Sequence, residues 1–269
     1  MLGENVVASG DYTILRSAVD EFLKHHYKIS INDIDRWYGN RLCCYLTTLQ
    51  GLDFQFIDIE GSDLVNIVSA EINSNFEYYF DNLHFQPGDV IIDIGANIGM
   101  VSVLLAKKYP YLKIYSYEPV KVNYDNLVKN IEKNEIPEGT IIPERKAVTG
   151  DGKPVTMMFN PTNTGGSTIS DVAKLGYIVK DEDKNIESIT LDQIFEKHNL
   201  KKVKMLKIDC EGAEYEVLKN CSVKNLKKIQ YLRGEFHEDA NVNPDNKCAD
   251  LVEYCKKYIP DVYVVNLIK

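Results

Sequence analysis

The sequence predicts an α/β protein: a doubly wound, mostly parallel sheet with helices on both faces, preceded by an N-terminal α+β extension. Three observations carry that reading. From about residue 89, strand-like and helix-like segments alternate at the spacing of parallel strands joined by crossover helices. The first of those strands runs into an acid and a glycine-flanked turn, DVIIDIGANIG at residues 89–99. Before residue 80 the pattern differs: an amphipathic helix near Val19, Phe22 and Leu23, then the alternating run LDFQFIDI of an antiparallel strand. The expected division is an extension over residues 1–70 and a main domain over 71–269.

In order along the main domain, VIID is a short apolar run suited to a buried strand. Ile98, Val101 and Leu105 then stripe a helix that ends in Lys107 and Lys108, cations that favour a helix C-terminus. LKIYSYE is the second strand, and Val120, Tyr124, Leu127, Val128 and Ile131 stripe the next helix. GTIIPERKAV is a third strand candidate. PVTMMFN and IESIT read as additional strands around the Gly/Ser/Thr-rich loop NPTNTGGSTIS, and LDQIFEKH as a short helix. VKMLKID is the fourth core strand, AEYEVLKNC its helix and KIQYLRGEFH the fifth strand. A helix through Leu251 and Cys255 and the strand VYVVNL close the pattern. His26, on the apolar stripe of the first helix, reads as a core histidine, and Trp37 as a packing residue.

A chain of 269 residues can build one large α/β domain with an extension. Its formal charge of −9 counts against a phosphate-backbone partner, because nucleic-acid binders carry a basic face. No apolar run approaches the roughly 20 residues that span a bilayer. The start MLGENVVASGDY lacks the basic-then-apolar layout of a signal peptide, so a cytoplasmic location is expected. The six cysteines form no CxxC pair and no zinc-type spacing; Cys248 and Cys255 share a helical face with Leu251 and Val252, as core residues do.

A strand ending in an acid, a glycine turn and a helix N-terminus together present backbone N–H groups and a carboxylate at the C-terminal edge of a parallel sheet. Asp93 would repel a pyrophosphate. The combination suits a ligand with both polar acceptors and positive charge, and S-adenosylmethionine has both. DIGANIG also lacks the GxGxxG register of a dinucleotide site. Glu118 stands 25 residues after Asp93 at the end of the second strand, where an acid accepts both ribose hydroxyls and excludes a 2′-phosphate.

DIGANIG, then YEP, then TLDQI, then KIDCEGAEYEVLKN, in that order within about residues 71–240, resemble the FkbM family of S-adenosylmethionine-dependent methyltransferases. Those are class I, Rossmann-like enzymes that methylate mostly hydroxyl groups of sugars, glycolipids and polyketides. KIDCEGAE is the most specific piece, since DxGANxG occurs in other class I methyltransferases. The resemblance implies a cofactor turn of Asp93, Gly95, Ala96, Asn97 and Gly99, a ribose contact at Glu118 beside Pro119, and Ala147 next to the adenine. It transfers nothing to the first 70 residues, which leaves that extension for acceptor recognition.

Methyl transfer is an in-line displacement on a carbon activated by the sulfonium, so positioning of the acceptor can supply much of the rate, with effective-molarity arguments allowing roughly 7 to 11 kcal/mol. An alcohol also loses its proton during attack, which calls for a carboxylate or imidazole within hydrogen-bond reach. Asp209 ends the fourth strand on the edge that carries Asp93 and Glu118, and is the first choice for acceptor or cofactor-amine contact. Glu211 lies next to it, and Gly212 turns the chain into the helix. Glu235 and His237, two apart on the fifth strand, share a face, and an imidazole with an unperturbed pKa near 6.5 suits a base. Glu214 and Glu216 read as structural acids near a helix N-terminus. A divalent ion among Asp209, Glu211 and Glu235 is an alternative that the spacing does not compel, and no metal is expected. The loop over residues 160–170, with Thr164, Ser167 and Thr168, reads as an ordinary surface loop or as one that closes over the acceptor. The expected function is O-methylation of a small-molecule or glycan acceptor. A non-catalytic cofactor-binding partner subunit, a NAD-dependent oxidoreductase and an RNA ribose methyltransferase using Lys207 and Asp209 are the alternatives.

Overall fold

Gln50 and Gly51 both take positive φ, 47° and 80°, the turn whose twist matches that of an antiparallel hairpin. It joins β1 (Leu42–Leu49) to β2 (Leu52–Ile59), with Leu49 opposite Leu52 as the closing pair. The computed structural model describes residues 42–74, 80, 83–160, 164–168, 181–238 and 245–268. The helix expected near Val19, with His26 and Trp37, lies outside the described residues.

After α1 (Leu64–Ser74) come β3 (Val90–Ile94), α2 (Met100–Lys108), β4 (Lys113–Tyr117), α3 (Lys121–Lys133), β5 (Ile141–Glu144) and β6 (Ala147–Val148). The second half holds β7 (Ser188–Ile189), α4 (Leu191–Lys197), β8 (Val203–Ile208), α5 (Glu214–Asn220), α6 (Val223–Leu226), β9 (Ile229–Glu238), α7 (Cys248–Lys256) and β10 (Asp261–Ile268). The main sheet runs β10-β9-β8-β3-β4-β5, and all of its pairings are parallel. Successive side chains of a strand face opposite sides, so β3 feeds two cores. Ile92 and Ile94 join Ile194, Leu218 and Leu251 from α4, α5 and α7, whereas Ile91 joins Val103 and Leu104 of α2. The chain leaves β3 outward through β4 and β5, then returns to build β8 to β10 on its other side. The switch point, where ligands bind in sheets of this kind, therefore lies between β3 and β8.

GTIIPERKAV is not one strand. Pro143 has no N–H to donate and sits in β5, an edge strand; the chain then leaves the sheet, and β6 pairs with β7 in a separate two-stranded sheet. PVTMMFN forms only isolated bridges, Val155 to Ile186 and Met158 to Thr168. It spends its side chains elsewhere: Met157 and Phe159 pack with Ile59, Val120 and Ile186 in a small third core.

The stripe expected on α3 is also rotated. Its buried face carries Asn123, Asn126, Leu127 and Asn130, while Val128 is exposed. The amides face inward because β2 offers them an unpaired edge. Asn134, just beyond the helix, accepts from Gln55 N (3.1 Å) and donates to Gln55 O (2.8 Å). Asn130 accepts from Ile57 N (2.6 Å) and donates to Ile57 O (3.1 Å) and Ile98 O (2.9 Å). Two side chains one turn apart thus act as a neighbouring strand would. Leu49, Phe54, Phe56, Leu64 and Ile72 share a core with β3 and α2, and the boundary expected at residue 70 falls inside α1.

Replacing Asn130 with Leu leaves the buried Ile98 carbonyl and the part-buried N–H and carbonyl of Ile57 without these partners. Asn130→Leu should lower the unfolding free energy by about 2–3 kcal/mol, against less than about 0.5 kcal/mol for Lys129→Gln on the exposed face of the same helix. Urea denaturation checks both.

Candidate functional site

The turn after β3 is held from two sides. Gly95 N and Ala96 N donate to Tyr117 O at 3.1 and 3.0 Å, and Asp209 N donates to Ile94 O at 3.2 Å. The strand ends approach so closely that a Cβ on Gly95 (φ 72°) would lie 1.8 Å from the Asp209 carbonyl oxygen. Asn97 and Glu211, on the two facing loops, are both non-glycine residues with positive φ, 51° and 58°, a conformation that costs roughly 1–2 kcal/mol away from glycine.

Glu118 links this turn to the segment after β4. Its Oε2 accepts from Asn97 N (2.8 Å) and its Oε1 from Val120 N (2.9 Å). It is 4% exposed. Burial raises its pKa to about 7 against the pull of those two amides and of Lys207. Each oxygen keeps a further lone pair for a ligand donor.

Asp93 does something other than what the sequence suggests. It is the fourth of the five residues of β3, so its side chain lies on a sheet face, 1% exposed, and not at the open edge. There it accepts from Ser102 Oγ (2.5 Å) and lies 3.5 Å from Lys207 Nζ. Lys207 also donates to Gly95 O (2.8 Å) and stands 3.6 Å from Asp209 Oδ2. Burial disfavours this ammonium, yet Asp93, Asp209 and Glu235 outweigh burial and hold its pKa above the usual lysine value.

His237 shows the largest departure from expectation. Its Nδ1 is 2.9 Å from Glu214 Oε1, and its Nε2 is 3.6 Å from Glu235 Oε2 and 3.8 Å from Glu211 Oε2. Burial opposes its charge, but Glu214, Glu211 and Asp209 together push its pKa to about 9. An imidazole with the ordinary value was expected; this one carries its proton at neutral pH. Glu214, read from sequence as a structural acid, is fully buried and also accepts from Cys210 N (2.9 Å) and Gly212 N (3.1 Å). Burial raises its pKa, but His237 and those amides prevail and the carboxyl stays below its usual range. It therefore orients both the loop after β8 and the imidazole.

These loops surround a pocket. Gly95, Asn97, Glu118, Pro119 and Ala147 line it, as do Asp209 and Glu211; Asp93, Ala96, Gly99, Glu235 and His237 are not in its lining. Its apolar wall comes from Ile94, Tyr117, Val120, Val148 and Met157. Of the polar loop, Thr164 and Ser167 reach the wall, and Thr168 Oγ1 donates to Glu211 O (3.0 Å). Asn123 also lines the pocket. Its amide donates to Thr164 O (3.0 Å), while its buried Oδ1 has no hydrogen-bond partner among the described residues. Asn123 escaped notice in the sequence because a polar residue in an assumed apolar stripe reads as surface.

Fold and site define an α/β protein with a pocket at the switch point of a parallel sheet. Residues 93–257 match the methyltransferase FkbM domain, and the chain belongs to that family of methyltransferases. It is 26% identical over 226 residues to the methyltransferase sdnD of Sordaria araneosa, covering 73% of this chain and 86% of that one. It is 24% identical over 192 residues to the 31-O-demethyl-FK506 methyltransferase FkbM of Streptomyces tacrolimicus, covering 62% and 73%. It is 27% identical over 156 residues to the hexuronic acid methyltransferase AglP of Haloferax volcanii, covering 58% of each chain. No helix among the described residues is long and apolar enough to cross a membrane.

Removing the Lys207 ammonium leaves buried Asp93 and part-exposed Asp209 without their shared counter-charge. Lys207→Met should destabilise by about 3–5 kcal/mol. Adding Asp93→Asn should recover part of that loss, so calorimetric unfolding of the single and double variants measures the coupling.

Proposed function

We propose that the protein is an S-adenosylmethionine-dependent O-methyltransferase acting on a hydroxyl of a sugar or other small-molecule acceptor. The observation that carries this reading is Glu118: a buried carboxylate in the wall of a pocket, beside a glycine turn, at the switch point of the sheet. Family membership supports methyl transfer. Two relatives named for an FK506 precursor and a hexuronic acid support an oxygen-rich acceptor.

In this reading Gly95, Ala96, Asn97 and Gly99 shape the turn for the amino-acid end of the cofactor, while Asp93 secures it from behind through Ser102 and Lys207. Glu118, next to Pro119, takes the ribose hydroxyls. Ala147 lies with Val148 and Met157 in an apolar wall suited to the adenine ring. Asp209 and Glu211 face the acceptor, and either carboxylate can receive the hydroxyl proton during attack. His237 and Glu235 stand behind them; His237, already protonated, serves as a fixed charge rather than as a free base. The acidic chain works in the cytoplasm without a nucleic-acid partner.

S-adenosylhomocysteine should bind the free protein and NAD should not. Ribose hydroxyls need an ionised acceptor, and Glu118 in the free protein binds its proton below a pKa of about 7. Affinity should therefore rise by up to about tenfold per pH unit below 7 and level off above it. Glu118→Gln should lower affinity about tenfold or more at pH 8 and remove the pH dependence. Calorimetric titration at several pH values checks this, and an unchanged dissociation constant in the variant would remove Glu118 from the cofactor site.

A further inference from the structure

The loop after β8 and the end of β9 bring together groups that the cofactor assignment does not use. One carboxylate oxygen each of Asp209 and Glu211 and a ring nitrogen of His237 lie within 4.8 Å of one another, the one group of its kind among the described residues. The imidazole side chain is only 2% exposed, and its two nitrogens differ. Nδ1 is engaged by fully buried Glu214 at 2.9 Å, whereas on the Nε2 side the carboxylates of Glu235 and Glu211 stand at 3.6 and 3.8 Å, beyond hydrogen-bond distance. The Nδ1 contact with Glu214 holds the ring so that Nε2 faces Asp209 and Glu211, where a cation would take the place of the Nε2 proton. Carboxylate-oriented histidines of this kind are a recurrent support of metal ligands.

From this geometry we infer that Asp209, Glu211 and His237 Nε2 bind a divalent first-row cation such as Mn²⁺, with Glu214 as the positioning residue behind His237. Charge argues the same way. Four carboxylates, Asp209, Glu211, Glu214 and Glu235, crowd around two basic side chains, Lys207 and His237. Two carboxylates and one imidazole suit a cation of intermediate hardness. Asp209 and Glu211 are 23% and 15% exposed, enough for modest rotations to bring their oxygens to coordination distance, and both lie in the pocket wall. The cation would be open to the pocket on that side. Its role rests on the methyl-transfer reading: it would hold an acceptor hydroxyl and lower that hydroxyl's pKa, so that the proton passes to solvent water in the open pocket while Asp209 and Glu211 stay bound as ligands. Binding itself does not rest on that reading.

The test is titration of the full chain with Mn²⁺ in the absence of cofactor, followed by electron paramagnetic resonance and calorimetry. One equivalent should bind in the micromolar range. Asp209→Asn and His237→Gln should each weaken binding at least tenfold, and Glu214→Gln by about tenfold or more with all three ligands present. Glu216→Gln, on the exposed side of α5, should change nothing. Asp209 is part-exposed, so Asp209→Asn keeps the test valid if the His237 variant does not fold. No stoichiometric Mn²⁺, or equal binding by Asp209→Asn, overturns the inference. So does mole-for-mole displacement of Mn²⁺ by S-adenosylhomocysteine, which would mean that the carboxylates serve the cofactor's amine. A protein that binds S-adenosylhomocysteine but no Mn²⁺ refutes the cation site and leaves the methyltransferase reading standing; one that binds Mn²⁺ but not S-adenosylhomocysteine does the reverse.

Discussion

One buried ammonium holds the strand ends in place. Lys207 Nζ reaches the Gly95 carbonyl, Asp93 and Asp209, so a single side chain ties the turn after β3 to the loop after β8. Taking such a charge out of water costs several kcal/mol unless partners surround it, which makes the arrangement all or nothing. Register explains how it is reached: Ser116, Asp93, Lys207, Arg233 and Tyr263 lie opposite one another across β4, β3, β8, β9 and β10. One row of the sheet is therefore polar from β4 to the far edge. Arg233, 1% exposed, ends it in an ion pair with Asp261 between the rings of Tyr231 and Tyr263. Just beyond this row, Ile94 of β3 and Tyr117 of β4 line the pocket.

The parts of the fold legible in the sequence were those fixed by local pattern. Short apolar runs gave β3, β4, β8 and β9, because strands buried on both faces need continuous hydrophobicity. LDFQFIDI gave β2, because one of its faces is packed and the other is not. Pattern failed where a polar group is buried for a partner distant in sequence. Asn130 and Asn134 pair with residues more than 70 positions away, and nothing in KVNYDNLVKN reveals that a hairpin edge awaits them. The strand split at Glu144 and Ala147 was hidden for a related reason: Arg145 donates to Pro119 O and pairs with Asp183, so the bend is set by a distant acid.

Those same asparagines change what the hairpin is. A two-stranded ribbon is marginal alone, and its outer strand β1 alternates between exposed and half-buried residues with only Leu49 fully buried. It persists because β2 is paired on both edges, by β1 on one side and by side-chain amides on the other. Ile59 at its end then packs on Val120 and Met157, residues that also line the pocket. The segment nearest the N-terminus of the described chain is thereby coupled to the site wall through packing.

Glu118 and Glu214 show why a sequence can nominate candidate carboxylates but not their charge states. Both follow core strands, both are almost completely buried and both accept two or more backbone N–H groups. Burial pushes both toward the neutral acid. The outcome differs in sign because of one neighbour. Glu118 has amides beside it and Lys207 only at a distance, so burial prevails and its pKa climbs to about 7. Glu214 touches His237, and that contact reverses the result: the glutamate stays ionised while the imidazole keeps its proton. In the sequence the two are simply the acids of YEP and GAE. What separates them is that β9, which enters the sheet two places from β3, delivers a histidine to one and not to the other. Topology, rather than local spelling, therefore decides which carboxylate can exchange a proton near neutral pH and which acts as a fixed anion.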